Sequence, residues 1–179
     1  MALDLRIVIG RLLLAIGVQL VAYGFFSDGR AACEMAAAKL DVPYLRDVEY
    51  AGLEGMELRC ARHVITENAR VLAFAEALLG GDMEAAGREM YASHESLRMD
   101  FAVSCEELDT MVSIARGISG VHGARMTGGG FGGCTINLVA AEAAGAVVAA
   151  LTAGYERATG IRPHIFETRA AAGACEVVA

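Results

Sequence analysis

The stretch that decides the fold reads GARMTGGGFGGCTINLVA and occupies residues 123–140. Five of the six residues at 128–133 are glycine, and an apolar run rich in β-branched residues follows over 134–140. The glycine run predicts a loop, because residues without a β-carbon allow backbone conformations that other residues avoid. The apolar run predicts a strand. We therefore expect a glycine-rich loop that leaves a helix and enters a strand.

Such a loop has a possible chemistry, because consecutive backbone N–H groups can surround an anionic oxygen as they do around phosphates. Composition leaves a second interpretation open, a flexible turn between two elements. A Walker-type loop is excluded because Cys134 and Thr135 follow the last glycine, where that motif needs Lys and then Ser or Thr. Gly128, Gly130 and Gly133 match the dinucleotide-binding spacing. That motif must leave a strand and enter a helix, so we expect the match to be accidental.

Upstream of the loop, hydrophobic spacing and capping residues predict several helices. Gly80 and Gly81 end the longest of them, Asp82 caps the next, and Ser104 with Glu107 forms a capping-box pattern that opens another. A further helix begins at residue 27 or 28 and runs through residue 40. The other predicted helices cover residues 58–79, 83–97, 104–116 and, downstream of the loop, 141–158.

Short apolar segments predict strands at 6–9, 18–23, 161–168 and 174–178, although the period of the first two segments does not exclude a helix. Helices interleaved with a few strands predict an α+β fold, with the helices packed on one face of a mostly antiparallel sheet. No repeat or linker divides the chain, so we expect one domain.

Composition excludes several classes of function. The formal net charge of −7 gives no basic footprint for nucleic acid. The apolar segment 7–26 is interrupted by Arg11 and Gln19, so we expect neither a membrane span nor an export signal. The five cysteines are scattered without a metal-ligand spacing, which favours free thiols in a reducing cytoplasm and no metal site.

Charged and titratable candidates are few. The four histidines, His63, His94, His122 and His164, fall on separate predicted elements without a paired nucleophile, and we expect structural or surface roles for them. Arg125, just ahead of the loop, is the best cation for a phosphate or partner contact. A structural salt bridge that shapes the loop is the alternative for Arg125.

The segment ARMTGGGFGGCTINLV, residues 124–139, resembles the third signature motif of galactokinases within the galacto-, homoserine, mevalonate and phosphomevalonate kinase superfamily. The resemblance extends over most of the chain from about residue 18. The supporting segments are Arg62-His63-Val64 with Glu67, Ser93-His94, Ser96-Leu97-Arg98, Val103-Ser104-Cys105, Glu107-Leu108-Asp109, and Arg30, Cys33, Glu34 and Leu45-Arg46-Asp47-Val48 farther upstream.

The resemblance implies a carboxy-terminal domain with a ferredoxin-like sandwich and added helices, spanning residues 1–179, with 1–17 uncertain. It implies that the loop contacts phosphate or substrate, supported by Arg125 and Thr127. The loop residues are Gly128, Gly129, Gly130, Phe131, Gly132 and Gly133. In the family, ATP and Mg²⁺ are held mainly by an amino-terminal half that also supplies the catalytic Asp and its supporting Arg. None of that half's signatures occurs here, so we expect no catalytic residue and no metal ligand in this chain.

One departure concerns the sugar contact. Family members usually carry a Glu-Tyr pair, whose Tyr hydroxyl contacts galactose, ahead of the equivalent of Cys33. Ungapped counting places Phe25 and Phe26 there, with Gly29 at one of the usual arginines. Phe26, or Tyr23 if the alignment has a gap, is therefore the candidate sugar contact.

The resemblance implies ATP-dependent phosphorylation of galactose to galactose 1-phosphate by the complete enzyme, in the cytoplasm. The isolated chain is expected to be inactive and either to self-associate or to pair with an amino-terminal half. The alternative is a non-catalytic sugar-binding or interaction module derived from a galactokinase.

Overall fold

The computed structural model describes residues 5–12, 16–47 and 52–169, with side chains described for 28–46 and 52–169. Two short 3₁₀ helices, Leu45–Asp47 and Ala141–Ala143, accompany the main elements. In chain order the main elements are β1 (Leu5–Leu12), α1 (Ile16–Lys39), α2 (Gly55–Gly80), α3 (Met83–Met99), α4 (Glu106–Arg116), β2 (Val121–Thr127), β3 (Gly133–Ala140), α5 (Ala144–Thr159) and β4 (His164–Arg169).

The four strands form one antiparallel sheet in the order β2-β3-β1-β4. β1 lies beside β3 along its full length, from Leu5 opposite Ala140 to Leu12 opposite Gly133. β2 is an edge strand that pairs with β3, with an irregularity between Val121 and Gly123. The glycine loop therefore joins two neighbouring antiparallel strands.

Helices contact both faces of the sheet at β3, which corrects the expectation of helices on one face. Val139 packs in a cluster with residues of α4 and α5, whereas Leu138 packs with Ala86 and Met90 of α3. Successive strand residues point to opposite faces, so these two clusters lie on opposite sides of the sheet. Both faces of β3 are covered, and the face that carries Val139 also buries the polar side chains of Thr135 and Asn137.

The predicted caps are partly confirmed. Gly81 ends α2 in the left-handed conformation, and the Asp82 carboxylate accepts a hydrogen bond from the Ala85 N–H at the start of α3. The capping box at Ser104 is wrong. α4 begins at Glu106 with Cys105 as its N-cap, and the Ser104 hydroxyl donates to Asp109 instead.

Two element assignments also differ from the sequence expectations. Residues 18–23 belong to α1, which begins at Ile16 rather than at 27 or 28. Residues 121–127 form β2 rather than part of the loop, so the loop leaves a strand and not a helix. The match to the dinucleotide-binding motif is still accidental, because the loop leaves a strand as that motif requires but enters a second strand instead of a helix. The predicted strand at 174–178 lies outside the described residues.

Close backbone packing fixes α3 against β2. A β-carbon on Gly87 would lie 1.8 Å from the His122 carbonyl oxygen, and one on Gly123 would lie 2.5 Å from the Gly87 Cα. Glycine at both positions is what allows this approach. The contact holds α3, and the polar side chains it carries, next to the strand that leads into the glycine loop.

No helix within the part of the chain that the structure describes combines the length and the apolar character needed to cross a membrane.

Candidate active-site loop

The glycine loop turns the chain from β2 into β3 through an unusual run of left-handed backbone. Positive φ angles occur at Gly128, Gly130, Phe131, Gly132 and Gly133, with values of 90°, 83°, 56°, 125° and 99°. Only glycine adopts such angles without a steric cost, which explains the composition of the loop. Phe131 is the one residue here that carries a side chain in this region.

One side of the loop is packed against the connection between α3 and α4. The Phe131 N–H donates to the Val103 carbonyl at 2.7 Å, and a β-carbon on Gly130 would lie 2.1 Å from the same oxygen. The Phe131 side chain joins an apolar cluster that includes Leu97, Val103 and Met126. Phe131 thus anchors the loop, and its N–H is already used within the protein.

The other side of the loop is open. A β-carbon built on Gly128 or Gly129 would meet no atom within 4 Å. Gly129 is also the one loop glycine whose φ lies outside the left-handed region. Gly128 and Gly129 are therefore the loop positions that a ligand can approach without displacing protein atoms.

Arg125 and Thr127 lie beside the loop on the face covered by α2 and α3, where they line a cavity of about 320 Å³. The Arg125 Nη1 donates to Glu67 Oε1 at 3.0 Å, and its Nε donates to the Met126 carbonyl at 3.0 Å. Of the two roles considered for Arg125, this geometry favours the salt bridge that shapes the loop.

Glu67 on α2 gathers donors from three elements. Its carboxylate accepts from Arg125 of β2, from the Ser93 hydroxyl of α3 at 2.5 Å and from Arg70 at 2.7 Å. Burial opposes its ionisation, but the hydrogen bonds from Ser93 and Arg70 and the charge of Arg125 outweigh it and hold the Glu67 pKa below its usual range. Glu67 connects α2, α3 and β2 beneath the start of the loop.

His94 on α3 is the residue near the loop that sequence reasoning undervalued. Its side chain is buried, its Nδ1 lies 3.2 Å from the Met126 N–H, and its Nε2 lies 3.2 Å from Asp109 Oδ1. Burial lowers its pKa, an effect that the nearby Asp109 carboxylate partly offsets. A signal was available, because His94 stands four residues after Met90 and three before Leu97 and so shares their buried helical face.

The other three histidines lie apart from the loop. His63 is buried on α2, where its Nδ1 lies 3.0 Å from the Ser96 hydroxyl and its ring lies 4.8 Å from that of Phe101. His122 pairs with Glu84 at 3.2 Å near the surface. His164 is exposed on β4.

The candidate sugar contacts are placed only by their backbone. Tyr23 and Phe26 lie in α1, and their side chains are outside the described part of the structure. Nearby, Gly29 is buried, and a β-carbon there would lie 3.4 Å from the ring of Phe101. The absence of a side chain at Gly29 thus lets α1 approach Phe101, which follows the end of α3.

Comparison with known proteins supplies the family. Residues 74–157 match the model of the family described as GHMP kinases C terminal, a range that runs from the second half of α2 through the loop to α5. Residues 74–157 belong to the GHMP kinase C-terminal family.

Relatives of this GHMP kinase domain include galactokinases. The galactokinase of Mycobacterium tuberculosis (strain H37Rv) is 47% identical over 165 residues, a match that covers 86% of this chain and 44% of the relative. That of Chloroflexus aurantiacus is 44% identical over 160 residues, covering 83% and 41%. The chain spans less than half the length of these curated relatives.

Solved structures agree on the fold of the GHMP kinase domain. The Lactococcus lactis galactokinase complexed with galactose matches with a TM-score of 0.78 at 30% identity, over 93% of this chain and 45% of that one. The mevalonate kinase of L. major in complex with R-mevalonate, at 22% identity and a TM-score of 0.59, shares the fold.

Proposed function

We propose that this domain supplies the glycine-loop wall of a galactokinase active site, where the γ-phosphoryl group of ATP passes to the anomeric hydroxyl of galactose. The observation that carries the proposal is the asymmetry of the loop. Its Phe131 side is anchored to Val103, while Gly128 and Gly129 face open space. A rigid loop with a bare, approachable backbone suits a phosphate-bearing ligand.

Phosphoryl transfer depends on positioning and on stabilising charge, so a pre-formed set of backbone donors is a useful contribution. ATP fits the open side of the loop, where the absence of β-carbons leaves room for phosphate oxygens. When bound, ATP supplies the transferred group, and Gly128 and Gly129 are the residues that would approach it.

The described residues supply no complete set of ligands for magnesium. Within residues 28–46 and 52–169, no three His, Cys, Asp or Glu side chains converge as metal ligands. We therefore assign no step through a metal to this domain. We propose that the metal, most of the ATP contacts and the catalytic Asp belong to an amino-terminal domain, and that the complete enzyme works in the cytoplasm.

The strand order supports a finer description of the fold. We propose a ferredoxin-like sandwich, because the order β2-β3-β1-β4, all antiparallel, with helices between β1 and β2 and between β3 and β4, is consistent with that topology. We propose that α2 to α4 include the helices added to this scaffold. Tyr23 and Phe26, one helical turn apart in α1, remain our candidates for the sugar contact.

A partner surface is available on α2. Val71, Leu72 and Leu79 are 56%, 67% and 89% exposed. Exposed apolar surface favours association, so we expect the isolated chain to self-associate at roughly tens of micromolar, unless a second domain covers it. Light scattering that reports a monomer over this range would contradict the expectation.

The proposed function is tested by co-expressing this chain with the amino-terminal half of the Mycobacterium tuberculosis galactokinase. Co-purification first establishes that the two parts associate. Mass spectrometry then follows ADP and galactose 1-phosphate in the presence of ATP, Mg²⁺ and galactose. We expect multiple turnovers by the complex and none by this chain alone. A co-purified complex without galactose-dependent ADP formation would favour the non-catalytic module instead.

A further inference from the structure

The Met126 N–H has an unusual partner for a strand residue. β2 is the edge of the sheet, so N–H groups directed away from β3 find no acceptor in a neighbouring strand. The Met126 N–H donates instead to Nδ1 of His94, on α3, at 3.2 Å. Met126 stands two residues before Gly128, so this bond holds the last part of β2 before the loop departs.

The partners of His94 define its tautomer. Because Nδ1 accepts from Met126, the ring proton lies on Nε2, which donates to Asp109 Oδ1 on α4 at 3.2 Å. The Ser104 hydroxyl donates to the same carboxylate oxygen at 2.5 Å. Asp109 thus orients the imidazole in the form that can accept from the strand.

The chain next to this network also contacts the loop itself. Ser104 follows Val103, whose carbonyl accepts from the Phe131 N–H. Met126, in the strand that leads into the loop, and Phe131, within the loop, are therefore both attached to one unit made of α3, the α3–α4 connection and the start of α4.

We propose that His94 is a positioning residue for the glycine loop, acting as a neutral acceptor that Asp109 orients toward the Met126 N–H. This role rests on the proposed function in assigning the loop to the active site. A protonated ring cannot accept at Nδ1 and would set a donor against the Met126 N–H. Acidification therefore removes this anchor from the loop.

Several charged groups face His94 besides Asp109. Glu95 and Arg98 of α3 and Arg116 of α4 line the same small cavity. The two arginines disfavour a second positive charge at this site, whereas the two carboxylates favour it.

Two substitutions separate the functions of the two ring nitrogens. In His94→Asn the amide oxygen can occupy the position of Nδ1 and accept from Met126, but the bond to Asp109 is lost. In His94→Gln the terminal amide reaches the position of Nε2 and retains Asp109, but the acceptor for Met126 is lost. His122→Gln, at a histidine paired with Glu84 near the surface, is the matched control.

The measurement is hydrogen exchange of the peptide that spans residues 125–132, on the purified chain without ligand, with α5 as the internal reference. We expect His94→Gln to exchange about tenfold faster in this peptide, the effect of losing one buried hydrogen bond, and His94→Asn to resemble the parent. In the parent, protection of this peptide, corrected for the intrinsic exchange rate, should fall on acidification while α5 stays protected. This loss of protection on acidification should be absent in His94→Asn.

Equal exchange by the Asn and Gln variants would overturn the proposal, as would loop protection in the parent that does not change with pH. If His94→Gln does not fold, the pH arm on the parent and on His94→Asn still decides. These measurements use no substrate, so they test the role of His94 independently of catalysis. If His94 positions the loop but the chain never supports turnover, the proposed function is contradicted and the role of His94 is not.

Discussion

The glycines of the loop differ in backbone conformation and packing, although they are indistinguishable in the sequence. Gly130 combines a φ of 83° with a β-carbon position 2.1 Å from a carbonyl oxygen, whereas Gly129 has neither constraint. Glycine at 130 thus stabilises the packing of the loop against Val103. Glycine at 129 is free to serve a ligand.

At this scale we predict that Gly130→Ala lowers the free energy of unfolding by about 2–3 kcal/mol, because the new methyl group forces the loop away from Val103. Gly129→Ala, the matched control, should change it by less than about 0.5 kcal/mol. Urea unfolding of the purified variants makes the comparison. Equal stability of the two variants would show that the contact between Gly130 and Val103 does not hold the loop.

The chemistry of the loop could be predicted from residue types, but its anchors could not. A glycine run indicates positive φ angles and a backbone without β-carbons. The spacing of His94, Glu67 and Val103 in the sequence does not predict that all three contact residues 125–131. These contacts depend on how α2 and α3 pack on β2.

At the scale of elements, long segments with strong periodicity and clear caps were predicted closely. α2 and α3 begin and end within three residues of the expected bounds, because Gly81 and Asp82 act locally. α1 and β2 were not. The apolar run in α1 fits either a strand or a helix by its composition.

The sequence does not predict β2, because this strand is stabilised by tertiary contacts rather than by local propensity. The segment VHGARMT has little strand propensity, yet it pairs with β3 and lies close to α3 through Gly87 and Gly123. Contacts with distant parts of the chain therefore outweigh the local preference.

The contact between α3 and β2 supports a second prediction. Gly87→Ala should lower the free energy of unfolding by about 2–3 kcal/mol, because its methyl group would lie 1.8 Å from the His122 carbonyl oxygen. Gly145→Ala in α5, where a β-carbon meets nothing within 4 Å, should be neutral or slightly stabilising. Thermal unfolding distinguishes the two. A Gly87→Ala variant as stable as its parent would mean that α3 can move from β2 without loss.

At the scale of the whole molecule, the buried histidines make stability depend on pH. Burial lowers the pKa of both His63 and His94 in the folded protein. The histidine pKa is about 6.5 in the unfolded chain and lower in the folded protein. Between these pKa values the unfolded chain binds more protons than the folded protein does, so the free energy of unfolding decreases as the pH is lowered. The lowered pKa of Glu67 adds a further loss below about pH 4.3.

We predict that the urea midpoint is constant above about pH 7 and falls steadily from about pH 6.5 downward. The decline should be smaller in His94→Asn, which removes one of the two buried imidazole rings. A midpoint that does not vary between about pH 8 and pH 5 would contradict the assignment of these histidines as neutral buried groups.

The molecule as a whole is a scaffold that presents one open stretch of backbone at the end of a β-hairpin. We propose that this stretch, at Gly128 and Gly129, approaches the transferred phosphate in the assembled enzyme. The most direct measurement is the turnover of the complex with a galactokinase amino-terminal half, carrying either Gly129→Ala or Gly145→Ala in this chain. We predict that Gly129→Ala lowers kcat/KM for ATP by at least about tenfold with unchanged folding stability, while Gly145→Ala has no effect. Equal kcat/KM for the two variants would contradict it.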